Sequence, residues 1–152
     1  MARINVVHVV GGGVLAGLVI NITGGLVWNF ILSDDYVRQV GRDLPGKVMP
    51  GSFLWSYLIG IVTVWLYASL RTHYGSWPKT AVVAGVTTWV LGFALPSSAI
   101  WLFGIFGGSF LAMASAFGVI EFVLAAVAGA WVYNWGEAVE AHRAQGRLPL
   151  TS

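Results

Sequence analysis

One side chain in this sequence stands where chemistry is expensive. Glu121 is the only charged residue between Lys79 and Glu137, near the middle of the apolar stretch from Phe110 to Trp135. An ionisable group at such a depth must face polar partners or a polar cavity. Removing a carboxylate from water disfavours its ionised form, and none of the long apolar runs holds a Lys or Arg to offset that. Its candidate partners are neutral: Asn21, Thr88, Ser97 and Ser98. Two chemistries fit such a group. It can staple helices together through hydrogen bonds, or it can carry a proton as the protonatable site of a transporter.

Other reactive residues point nowhere in particular. His8 has no second histidine at a ligand spacing, so it reads as a hydrogen-bonded residue near the membrane surface. Asp34 and Asp35 follow Ser33 and fit the first turn of a capped helix. With no cysteine, thiolate chemistry and disulfides are excluded. The sequence shows no nucleophile beside a base, no metal-ligand cluster and no phosphate-binding loop, so no enzymatic role, cofactor or metal is expected.

The elements that must position Glu121 are membrane helices. The chain is 57% hydrophobic and 9% charged, far from the roughly 25% charged residues of soluble domains. Since about 20 apolar residues cross a bilayer, the uncharged runs predict four transmembrane helices over about 4–32, 51–70, 80–106 and 110–135. They form a single all-α membrane domain, a four-helix bundle, followed by a soluble tail over 136–152. Between the first and second helices, Ser33 to Pro50 predicts a short interfacial segment, with Ser33 as its cap and Gly41 at its end. A net charge of +2 with scattered basic residues gives no reason to expect nucleic-acid binding.

Small residues mark the faces on which these helices pack. In the first helix Gly13, Gly17, Asn21, Gly24 and Trp28 recur every three or four residues, so they share one face. Ser56, Gly60, Thr63 and Tyr67 do the same in the second, and Gly85, Thr88, Gly92 and Pro96 in the third. The fourth carries Ala114, Gly118, Glu121, Ala125 and Ala128. Both the first and the fourth face hold one mid-depth polar group, which predicts that they meet, with Asn21 beside Glu121. Pro96 should kink the third helix, and Ser97 and Ser98 can satisfy the backbone groups that the kink frees. Trp65 and Trp89 fall between the interfacial tryptophans and are expected to be packing residues.

The segments VWLYASLRTHYG (Val64 to Gly75), PKTAVVAGVTTWVLGFALPS (Pro78 to Ser97) and VIEFVLAAVAGAWVY (Val119 to Tyr133) resemble those of small bacterial four-helix integral membrane proteins of unknown function. The resemblance implies a fold and a bacterial inner membrane, and no activity. Arg3, Arg71, Lys79, Arg143 and Arg147 fall on one side and Arg38, Arg42 and Lys47 on the other, which predicts cytoplasmic termini. The function expected first is that of an accessory or self-associating subunit of a larger membrane complex, respiratory or photosynthetic. It would dock on a protein partner or a second copy through its small-residue faces. The alternative is a small proton-coupled transporter or channel that uses Glu121.

Overall fold

A backbone in lipid finds no water to bond to, so long apolar runs must satisfy their N–H and C=O groups internally, as helix. The computed structural model describes residues 4–41, 48–75 and 77–146, and these are helical almost throughout. Helix α1 (Val6–Val27) passes through a π-helical turn (Trp28–Leu32) into α2 (Ser33–Val40), and α3 is Val48–Tyr74. Helix α4 (Trp77–Trp89) passes through a second π-helical turn (Val90–Ala94) into α5 (Leu95–Leu102), and α6 is Gly108–Gln145. Four of the resulting rods are long and apolar enough to span a membrane: Val6–Val40, Pro50–Tyr74, Trp77–Leu102 and Gly108–Gln145. The chain is an all-α, multi-pass membrane protein whose four helices pack together.

Three threonine hydroxyls within the spans are satisfied locally. Thr23 donates to the Val19 carbonyl, Thr63 to Ile59 and Thr88 to Ala84, each at 2.8–2.9 Å and one turn back. This removes the cost of an unpaired hydroxyl in an apolar bundle without demanding a partner on another helix. At the start of α1, the Asn5 side-chain oxygen accepts from the backbone N–H groups of Val7 and His8, which caps the helix.

Neighbouring spans run antiparallel, as their contacts show. Gly13 and Gly17 of α1 lie against Ile61 and Tyr57 of α3, so one numbering rises as the other falls. Gly12 and Gly24 lie against Gly129 and Glu121 of α6, and Gly85 of α4 lies against Phe122 and Val123 of α6. The expected polar face of α3 is the buried one: Thr63 and Tyr67 are fully covered and Ser56 nearly so.

Several boundaries differ from the sequence reading. Ser33 does not cap α2. Helical backbone continues through Leu32, and the Ser33 hydroxyl donates to the Asn29 carbonyl at 3.5 Å instead. Gly41 does end α2, in the left-handed region at φ 73°. The third span stops at Leu102 rather than near Phe106, because Gly104 turns left-handed at φ 67°. The fourth continues to Gln145 instead of ending near Trp135. At 1.5 Å per residue, its 38 residues extend roughly 57 Å, well beyond a hydrocarbon core of about 30 Å. Trp65 is 53% exposed and faces outward, so it is no packing residue. Arg3, Arg42, Leu44, Lys47, Arg147 and Ser152 lie outside the described residues.

Buried apolar packing is concentrated at one end. The core cluster includes Val9 and Ala16 of α1, Val64 and Tyr67 of α3, Ala84 of α4 and Ala130 of α6, all in the half nearer the chain termini. Toward the other end, the third span turns away at Val90–Ala94, and α5 packs lightly, chiefly on the start of α6. No residue of α5 is buried. The bundle is densely packed in its terminal half and more open in the other, where the third span is little covered, although Trp28, Tyr36, Phe106 and Phe110 still join the first span to the start of the fourth.

Candidate functional site

Glu121 sits where the closed half gives way to the open one. It shares a stripe of α6 with Ala125 and Gly129, which turns toward α1: Ala125 is fully buried, and Gly129 lies against the Gly12 carbonyl and Ala16. One turn before it, Gly118 lies beneath Trp89 and Phe93 of the third span. The carboxyl reaches across to α1 at Gly24, where a Cβ would stand 3.1 Å from Oε1 and 3.4 Å from Oε2. Glycine at 24 is what leaves room for it.

Beside this contact lies a cleft of about 260 Å³, lined by Ile20, Asn21, Gly24, Gly25, Trp28 and Asn29 of the first span, Ser52, Phe53 and Ser56 of α3, and Glu121. A second cleft of about 210 Å³ lies on the other side, lined by Thr23, Leu26, Val27, Phe117, Ile120, Glu121 and Leu124. Leu26, Ile120 and Leu124 are exposed on the outer surface. Glu121 therefore borders two clefts, a partly polar one between the first span and α3, here the inner cleft although Asn29, Ser52 and Phe53 at its rim are exposed, and an outer, apolar one.

The polar groups of the inner cleft are tied to their own helices. Asn21 Nδ2 donates to the Gly17 carbonyl at 3.0 Å and Asn29 Nδ2 to the Gly25 carbonyl at 2.7 Å. Ser56 Oγ donates to the Ser52 carbonyl at 2.9 Å. The Glu121 carboxyl itself has no hydrogen bond or ion pair among the described residues. Asn21 and Glu121 line one cleft, as the sequence predicts for neighbours, but no hydrogen bond joins them.

The remaining predicted site residues are dispersed. Thr88 is buried on α4, with its hydroxyl committed to Ala84. Ser97 and Ser98 line a separate, shallow depression with Trp101, Leu111 and Ser115, and Ser98 donates to the Leu95 carbonyl at 2.7 Å. The turning away of the third span carries both serines off from Glu121. The glycine ridge is likewise split: Gly13 and Gly17 meet α3, Gly24 alone meets Glu121, and Gly118 meets the third span. A smooth face on α1 is matched best by Gly60 of α3, where two backbones can touch, while Gly12 and Ala16 take the contact with α6 at Gly129.

No family model, curated protein or solved structure matches this chain.

A second polar cluster joins the terminal end, and spacing along the sequence did not reveal it. Arg71, at the end of α3, pairs with Glu137 at 2.7 Å, donates to Asn134 Oδ1 at 3.0 Å and stands 5.3 Å over the ring of Tyr133. Asn134 Nδ2 donates to Tyr67 Oη at 2.7 Å, and Tyr67 meets Tyr133 edge-on. Glu140 accepts from Asn5 Nδ2 and lies 3.2 Å from His8 Nε2. These bonds hold the start of α1 and the end of α3 against the outer third of α6, which explains why that segment stays helical beyond Trp135. The two clusters differ in kind: each group here has at least one partner in the cluster, although His8 Nδ1 is buried without one, whereas the Glu121 carboxyl bonds to none of the described residues. Among the described residues, no three metal-ligating side chains come together.

Proposed function

We propose that this protein is a small membrane transporter or channel in which Glu121 binds what passes and itself conducts protons by taking one up and releasing it. The observation that carries this reading is a carboxyl with no partner among the described residues, opening on a 260 Å³ cleft. A structural staple would spend its oxygens on neighbouring helices. This one does not. The cleft is also large enough for a small solute beside the carboxyl. The test is proton flux through reconstituted protein with and without the carboxyl.

A second reading keeps the expected role as an accessory or self-associating subunit. It is favoured by the third span, which is the least covered of the four, with Leu91, Leu95 and Trp101 all exposed. A protein partner packing there would complete the open half. Extraction in mild detergent should then bring down one companion in fixed stoichiometry, and migration as a lone chain would remove this reading.

The orientation that goes with either reading places both termini in the cytoplasm of a bacterial inner membrane. Arg71, Lys79 and Arg143 stand at the terminal end, against Arg38 at the other among the described residues, in the sense of the positive-inside rule. The chain has no cysteine of its own, so a Ser152→Cys variant reports cleanly. An impermeant maleimide should label it only after the cells are permeabilised, and labelling in intact cells would reverse the orientation.

A further inference from the structure

The inner cleft has a chemical sign. Asn21 and Asn29 are each tethered through the NH2 group to a carbonyl one turn back, and the Ser56 hydroxyl proton is used the same way. What these residues still offer is mainly acceptor capacity: two amide oxygens, a hydroxyl oxygen and both oxygens of Glu121, against one remaining N–H on each amide. Among the described residues, no Lys or Arg lines the cleft. A guest that satisfies this site must bring hydrogen-bond donors, and it must bring the positive charge that the ionised carboxyl lacks.

Walls and access narrow the class further. Ile20, Trp28 and Phe53 line the same cleft, and aromatic faces attract organic cations. A bare metal cation instead needs about six or more close oxygen ligands, which a roomy, partly apolar cleft does not assemble. On its other side Glu121 borders the outer cleft with the lipid-facing Leu26, Ile120 and Leu124. The seam between the two clefts is closed on α1 by Gly24, which has no side chain. We propose that the Glu121 cleft binds a protonated primary amine carried on a small apolar body, which reaches it from the bilayer past Gly24.

The proposal rests on the binding reading of Glu121 given above and adds the class of guest. Purified protein in lipid nanodiscs is titrated with radiolabelled 2-phenylethylamine, with empty nanodiscs as blank. Benzyltrimethylammonium, ethylbenzene, phenylacetate and sodium chloride serve as competitors. Saturable binding of one amine per chain is expected. The quaternary cation, which has no N–H to donate, should compete about 10-fold or more weakly, in line with the loss of a charge-assisted hydrogen bond. Ethylbenzene and phenylacetate should not compete, and Glu121→Gln should weaken binding about 10–100-fold. Gly24→Ala, which crowds the carboxyl without removing it, should weaken binding by a smaller factor.

Equal competition by ethylbenzene would mean apolar partition and would overturn the proposal. Displacement of the amine by millimolar sodium would assign the site to an inorganic cation and overturn it equally. The ligand comparison is made on the native chain, so it stands even if a variant fails to fold. Absence of amine binding together with proton flux that depends on Glu121 would sink the amine and leave the transport reading intact. Absence of both would sink both.

Discussion

Gly60→Val should leave no folded bundle to measure. Gly60 lies where α3 crosses α1, and a Cβ placed there would fall 2.5 Å from the Gly17 nitrogen, 3.0 Å from its Cα and closest of all to the Gly13 carbonyl oxygen. From the other side, a Cβ on Gly13 would stand 2.5 Å from Ile61 Cα. These are backbone atoms and have no rotamer to yield. Overpacking that flexible side chains can absorb costs about 1–3 kcal/mol. Here two helices must move apart along the closest contact in the closed half, so a loss of several kcal/mol is expected, comparable with the 5–15 kcal/mol that holds a typical domain together. Size-exclusion profiles and melting in mild detergent are the measurement. Gly92→Ala, where an added Cβ meets nothing within 4 Å, is the control and should behave as the native protein. A Gly60→Val protein that melts normally would show that the two helices do not approach this closely.

How far the sequence reveals this molecule depends on which force sets each feature. Four spans are legible because hydropathy alone decides them: charge is absent from Val48 to Leu70 and from Thr80 to Ile120, and lipid leaves helix as the only way to satisfy so much backbone. The buried face of α3 is legible for the same reason, since Ser56, Gly60, Thr63 and Tyr67 are the few residues there unsuited to lipid. Pairing between faces is not. Periodicity identifies Gly13 and Gly17 as a ridge, but any smooth groove would serve it, and the choice of Gly60 over Gly118 depends on how all four helices fit at once. The end of the fourth span was misplaced for a related reason. Glu137 and Glu140 look like solvated tail residues until Arg71, Asn5 and His8 are seen beside them, and those partners come from other parts of the chain.

The candidate site was legible in its centre and not at its edges. Glu121 and Asn21 stand out as polar residues amid apolar ones, and they do line one cleft. Asn29 does not stand out in the sequence because it lies close to a membrane end, where polar residues are ordinary. Its position two turns after Asn21 on the same face was the available signal. Ser52, one turn before Ser56, could have been found the same way. The irregularity of the third span is legible, since the π-helical turn at Val90–Ala94 lies directly ahead of Pro96, but the proline does not say on which side of the span Ser97 and Ser98 fall.

In liposomes carrying a potassium gradient, with valinomycin to set the potential and a trapped pH dye, native protein should pass protons and Glu121→Gln should not. Glutamine keeps nearly the size and shape of the side chain, and it can still rest over Gly24 and exchange hydrogen bonds with a guest. It cannot release a proton. If Glu121 served only to hold helices together, the amide would do as well, and the substitution would pass unnoticed. The carboxyl, though, has no bond among the described residues for an amide to inherit, so packing stability should change by less than about 1 kcal/mol, the net worth of a typical hydrogen bond, while flux falls to that of empty liposomes. Glu121→Asp separates chemistry from reach. It retains an acid but withdraws it from Gly24 and from the seam between the two clefts, so flux should be reduced and not abolished. Native-like flux through Glu121→Gln would show that the proton takes another path and leave the carboxyl without a transport role.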